Sequence, residues 1–163
     1  MGVTIKCKKT GRDIDLGYGG FARLRNKVAE LMGEPFYSHY MKLDKAPVSM
    51  RPDEEKKFYT EWDVEAIRLV RENDLPVKVV NFLLESDCEG KIRYGACKAI
   101  LKVIGDYDDN ICYGYAGRSD CAMFRDFKAI LQDCVDNKCD MVWMMENGCC
   151  DVYQRIQENV RIF

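Results

Sequence analysis

Residues 17–20 read Gly-Tyr-Gly-Gly, and Phe21, Arg23 and Arg25 follow directly. A glycine-rich stretch leading from a strand into a helix gathers backbone amides at the positive end of the helix dipole, which favours an anion. Tyr18, Gly19, Gly20, Arg23 and Arg25 are therefore the candidate partner- or anion-binding residues. The spacing matches neither G-x-G-x-x-G nor G-x-x-x-x-G-K-[ST], no βαβ unit surrounds it, and Lys27 does not stand where a P-loop lysine would. The plainer alternative is a structural turn, since glycine takes positive φ at no steric cost. Tyr107, Tyr113 and Tyr115 lie among Gly105, Gly114 and Gly117. Exposed tyrosine beside arginine is the composition of binding surfaces, so Tyr113 and Tyr115 join the candidates.

Other residues capable of chemistry read as structural. Ser86-Asp87-Cys88-Glu89-Gly90 offers two carboxylates but no distal glutamate at calcium-loop reach, so a capped helix start is expected there. Asp106, Asp108 and Asp109 read as a solvated loop rather than a Mg²⁺ or Ca²⁺ site. His39, the single histidine, lies between Tyr37 and Tyr40 and reads as partly buried and structural. No Ser or Cys motif places it in a triad, and a dyad with Cys88 or Cys97 would need a tertiary contact. An enzyme with such a Cys or carboxylate site is the least supported function.

The nine cysteines are odd in number and follow no secretory leader, which points to free thiols in a reducing compartment. The nearest pairs are Cys134/Cys139 and Cys149/Cys150. Cys134/Cys139, with four residues between, stands at the limit of zinc-ligand spacing, Cys149/Cys150 are adjacent and His39 is the single histidine, so no metal and no other cofactor is expected. Residues 1–30 hold no apolar leader segment and no apolar run is long enough to span a bilayer, so a cytoplasmic location without membrane contact is expected.

The elements that must hold these residues begin with a hairpin. Val3, Ile5 and Cys7 alternate with polar residues, Lys9-Thr10-Gly11 can turn the chain, and Ile14 and Leu16 alternate again. Two strands need a covering layer. Phe21, Leu24, Val28 and Leu31 mark a first helix that ends near Gly33 and Pro35, and a short helical piece follows near residues 36–43. Residues 53–73 carry Phe58, Trp62, Ala66, Leu69 and Val70 at helical spacing, with Asp53, Glu54 and Glu55 at the dipole's positive end. Val77–Leu84 suggests a short buried helix. Ile92–Val103 suggests a helix ending near Gly105, and Phe124–Val135 suggests another. Met141–Met145 fits a short third strand, at an edge or otherwise. The expected fold is α+β and mostly helical: an N-terminal β-hairpin packed on five or six helices. Residues 1–145 are expected to form one domain, with 146–163 as a helical appendage.

Net charge is −2, but residues 1–45 carry nine Lys/Arg against five Asp/Glu, and residues 105–163 six against eleven. The whole is too acidic for a general DNA coater. The segments Gly2-Val3-Thr4-Ile5, Ile14 to Phe21, Leu24-Arg25 and Ser86 to Gly90 together resemble a family of small uncharacterised bacterial and phage proteins. Those proteins share the hairpin, a Tyr-x-Gly-Phe turn and a Ser-Asp-Cys-Asp/Glu-Gly segment. The resemblance spans residues 1–145 and brings no activity with it. A phage setting would imply an accessory inhibitor of a host enzyme or defence complex. The expected function is thus a non-enzymatic binding protein with a host protein as partner. The alternative is a protein that sequesters a small anion or nucleotide signal.

Overall fold

The computed structural model describes residues 2–46, 50–105, 107 and 124–145. Strand β1 (Gly2–Cys7) pairs antiparallel with β2 (Asp13–Gly17), as the alternation predicts. Helices α1 (Tyr18–Met32) and α2 (Phe36–Tyr40) follow, then a 3₁₀ turn over Leu43–Lys45. The long helix α3 (Pro52–Glu72) starts with proline at its first turn, and the Glu54 carboxylate accepts the Arg51 backbone N–H at 3.2 Å. Helix α4 (Val77–Leu84), strand β3 (Glu89–Ile92), helices α5 (Tyr94–Ile104) and α6 (Phe124–Asp136), and strand β4 (Met141–Met145) complete the described chain. The protein is α+β and mostly helical, with a four-stranded antiparallel sheet in the order β2-β1-β4-β3. The expected 146–163 appendage and the Asp106, Asp108 and Asp109 loop lie outside the described residues.

Two expectations are corrected. Met141–Met145 is a strand, as expected, but it is neither an edge nor third in the chain: it runs between β1 and β3 and hydrogen-bonds to both. Residues 86–90 do not open a helix. The Ser86 hydroxyl accepts the Cys88 and Glu89 amides at 3.0 and 3.4 Å, which caps a turn, and the chain then extends as β3. The helix starts later, at Tyr94.

The pleat sorts the sheet's two faces. Val3, Ile5, Cys7, Leu16, Ile92, Met141 and Trp143 are buried. Lys6, Asp15, Lys91 and Met144 are exposed on the other face. Buried Phe21, Leu24 and Val28 of α1 and Phe127, Ile130 and Leu131 of α6 belong to the same core as the sheet's inner face. Helix α5 packs extensively along α6. Helix α3 docks on α2: His39 and Trp62 stack at 4.8 Å, the Trp62 indole N–H donates to the His39 carbonyl at 3.0 Å, and His39 Nε2 bonds the Trp62 carbonyl at 2.8 Å. His39 is therefore the buried, structural histidine its neighbours suggest.

Candidate functional site

The glycine segment is not the positive-φ turn expected. Gly17 is extended at φ −51°, ψ 158°, and the helix begins at Tyr18. The glycines with positive φ among the described residues are Gly11, Gly33 and Gly105. Gly20 is buried in the first turn of α1, while Arg23 is exposed one turn on. A Cβ on Gly19 would lie 3.7 Å from the Arg23 guanidinium. Gly17 supplies no side-chain cap to α1. The Tyr18 side chain and Tyr113 and Tyr115 lie outside the described residues.

Arg25, expected at the surface, is 4 % exposed. Its Nη1 donates to the Asp87 carboxylate at 2.6 Å, its Nη2 to the Ser86 carbonyl at 3.2 Å, and its Nε has no partner. The guanidinium carbon lies 4.3 Å from the Phe21 ring centre, 5.4 Å from Phe82 and 5.7 Å from Trp143. Burial lowers the Arg25 pKa and the Asp87 charge opposes that shift. The Trp143 indole N–H also donates to the Ser86 carbonyl, at 2.7 Å. Gly90 fits beneath that indole: a Cβ there would come within 2.2 Å of the ring. The Gly-Tyr-Gly-Gly-Phe and Ser-Asp-Cys-Glu-Gly segments, far apart in sequence, thus meet at one buried charge inside an aromatic box. Aromatic faces attract a desolvated guanidinium, and the carboxylate supplies its counter-charge. Asp87 is committed to that ion pair, and Glu89 is exposed on β3.

The outer side of α1 holds a second arrangement. Arg23 and Lys27, four residues apart, share a helix face. Lys27 pairs with Glu30 at 2.5 Å, and its Nζ lies 5.3 Å from the Tyr107 ring centre. The hydrogen bond to Glu30 raises the Lys27 pKa, and Tyr107 adds to the effect. Tyr107 also packs edge-on against Phe124. The residue that opens the tyrosine-rich segment is therefore anchored beside the exposed side of α1. Sequence reasoning grouped Arg23 with Arg25, but Arg25 turns inward, and Lys27 is the basic residue that the helical period places on the same side of α1 as Arg23.

Cysteines converge at the opposite end of β1. Cys7 Sγ is 3.5 Å from Cys139 Sγ, and the sulfurs of Cys7, Cys134 and Cys139 all lie within 4.8 Å of one another. A side-chain hydrogen bond joins Cys134 to Cys97 of α5. Burial raises the Cys7 thiol, but hydrogen bonds from Thr10 and the Lys9 backbone outweigh it and bring the pKa to about 7. These four described cysteines are free. Cys88 is disulfide-bonded, so the expectation of free thiols fails there.

Among other titratable groups, Asp63 on α3 has a buried carboxylate oxygen without a partner, and burial raises its pKa from 3.8 to about 6. Between those values the folded state holds a proton that the unfolded chain has released. The resulting stability is complete below pH 3.8 and is lost as pH rises through about 6. Asp63→Asn should therefore gain about 1–3 kcal/mol relative to the parent between pH 4 and pH 7. His39 acts with the opposite sign: burial lowers its pKa, so stability falls as pH drops below 6.5. That contribution cancels when the two proteins are compared by urea denaturation at each pH. Equal pH slopes would refute the assignment to Asp63.

An open depression on α3, lined by Asp53, Lys56, Lys57, Thr60 and Glu61, holds only surface side chains. No helix among the described residues is long and apolar enough to cross a membrane. No family model, curated protein or solved structure matches the chain.

Proposed function

We propose that this is a non-enzymatic binding protein that engages a protein partner through the outer side of α1 and the tyrosine-rich segment beginning at Tyr107. The contact between Lys27 and Tyr107 carries this reading. It sets the start of a segment rich in tyrosine and glycine against Lys27, one helical turn from the exposed Arg23. Tyrosine and arginine are enriched among the residues that dominate interface energy: tyrosine buries large area at low entropic cost, and arginine offers several hydrogen-bond donors on one planar group. Arg25 acts from within, holding α1 rigid against the Asp87 turn, and does not itself touch the partner. If the setting is a phage one, as the sequence resemblance implies, that partner would be a host enzyme or defence complex.

Arg23→Glu, and separately Tyr113→Ala with Tyr115→Ala, should each weaken the complex at least about tenfold, or about 1.4 kcal/mol. Affinity purification from the native host cell, with mass spectrometry of retained proteins and small molecules, identifies the partner for that titration.

Small-anion binding is the second reading, favoured by the uncapped start of α1 and the nearness of Arg23 to Gly19. A retained nucleotide without a protein would select it. In that case nucleotide at about 100 times Kd should stabilise the fold by about 2.7 kcal/mol.

A further inference from the structure

We propose that Cys7, Cys134, Cys139 and Cys97 bind one thiophilic divalent cation, zinc by their chemistry, and that this centre ties the N-terminal hairpin to α5, α6 and β4. Three sulfurs, one from the end of β1 and two from α6 and its closing turn, already lie within 4.8 Å of one another, with Cys7 and Cys139 at 3.5 Å. Zinc–sulfur bonds of about 2.3 Å place the sulfurs of a tetrahedral site about 3.8 Å apart, so the cluster has the right scale. An all-sulfur donor set selects zinc over magnesium or calcium, which take oxygen ligands. Buried cysteines that merely fill space act as small hydrophobes and have no reason to aim their sulfurs at one point.

Two turns build the centre. Cys7 ends β1, and the chain reverses through Gly11 at φ 75°, with the Gly11 amide donating to the Cys7 carbonyl at 3.0 Å. The Lys9 backbone interacts with the sulfurs of both Cys7 and Cys139, as amides do around thiolate ligands. At the end of α6, Lys138 takes φ 49° and the Cys139 amide donates to the Cys134 carbonyl at 3.0 Å. That closure returns the second sulfur of the pair to the same side as the first. Cys97, hydrogen-bonded to Cys134 from the facing helix but outside the 4.8 Å group of three, would move in to complete the set as the fourth ligand. Each thiol releases its proton to solvent as its sulfur–metal bond forms, and Lys8, Lys9 and Lys138, each within two residues of a ligand, offset the resulting negative charge.

The test uses the full chain purified under reducing conditions without chelator. Native mass spectrometry should find one zinc per chain. After zinc removal, Co²⁺ alone should give the charge-transfer and strong d–d absorption of a tetrahedral thiolate site. Cys139→Ser and the core-filling Cys134→Ala should both lose those bands while circular dichroism confirms that they are folded. Cys97→Ser should weaken Co²⁺ binding, and unchanged affinity would overturn the four-sulfur assignment. A folded wild-type protein that gives no cobalt bands overturns the proposal. So does one in which Cys7 and Cys139 have lost two hydrogens to a disulfide and no metal is bound.

Discussion

Asp87→Ala is expected to destabilise the protein by about 3–5 kcal/mol, the cost of stranding a buried charge. Arg25 is 4 % exposed and Asp87 26 %, so the two partners are not equivalent. Without the carboxylate, the guanidinium keeps the Ser86 carbonyl and three aromatic faces, none of which carries a full negative charge. Its Nε already lacks a partner. Arg25→Met should cost less, about 1–2 kcal/mol, because it fills the aromatic box with a flexible apolar chain and leaves a carboxylate that water can reach. In the Arg25→Met background, Asp87→Ala should then cost almost nothing, since the charge it would strand is gone. Urea denaturation of the four proteins of this cycle gives the coupling directly. Equal costs for Asp87→Ala in both backgrounds would show that the ion pair does not hold the two segments together.

Phe82→Ala should cost a similar amount, about 3–5 kcal/mol, by opening a cavity where α4 meets three other elements. Phe82 is fully buried. Its ring meets Phe21 at 6.3 Å and Trp143 at 5.9 Å edge-on, and stacks on Phe127 at 6.2 Å. Through those contacts α4 holds α1, β4 and α6 at once. The loss also removes one wall of the Arg25 box, so the cost should add poorly with Arg25→Met when the two are combined. A Phe82→Ala protein within about 1 kcal/mol of the parent would mean that the neighbouring rings close the gap, contrary to close packing in the core.

The parts of this fold that sequence reveals are those whose burial follows a local period. Val3, Ile5 and Cys7 alternate, and Trp62, Ala66, Leu69 and Val70 recur at helical spacing; all of these are buried. Strand β3 escapes such reading because only Ile92 of its four residues is buried. Its conformation comes from pairing with β4, a tertiary cause. The same holds for the Gly17–Gly20 segment. Its glycines suggest conformational freedom, yet Gly19 and Gly20 lie in ordinary helix, and Gly20 is buried. Arg25 looked like a surface residue because its burial depends on Asp87, 62 residues away, and on Trp143 further still. The cysteine cluster is half hidden for the same reason: Cys134 and Cys139 carry a local spacing of four intervening residues, but Cys7 stands 132 residues before Cys139. Arg23 and Lys27 were legible in principle, since four-residue spacing on a helix defines one side.

The claim that joins these observations is a division of labour along α1, with Arg25 building the interior and Arg23 meeting the partner. The measurement that tests it most directly is titration of the co-purifying partner against the wild type, Arg23→Glu and Arg25→Met, each at matched folded fraction. The account predicts at least about tenfold weaker binding for Arg23→Glu and near-wild-type affinity for Arg25→Met. Unchanged affinity in Arg23→Glu, or loss confined to folded Arg25→Met, would contradict it.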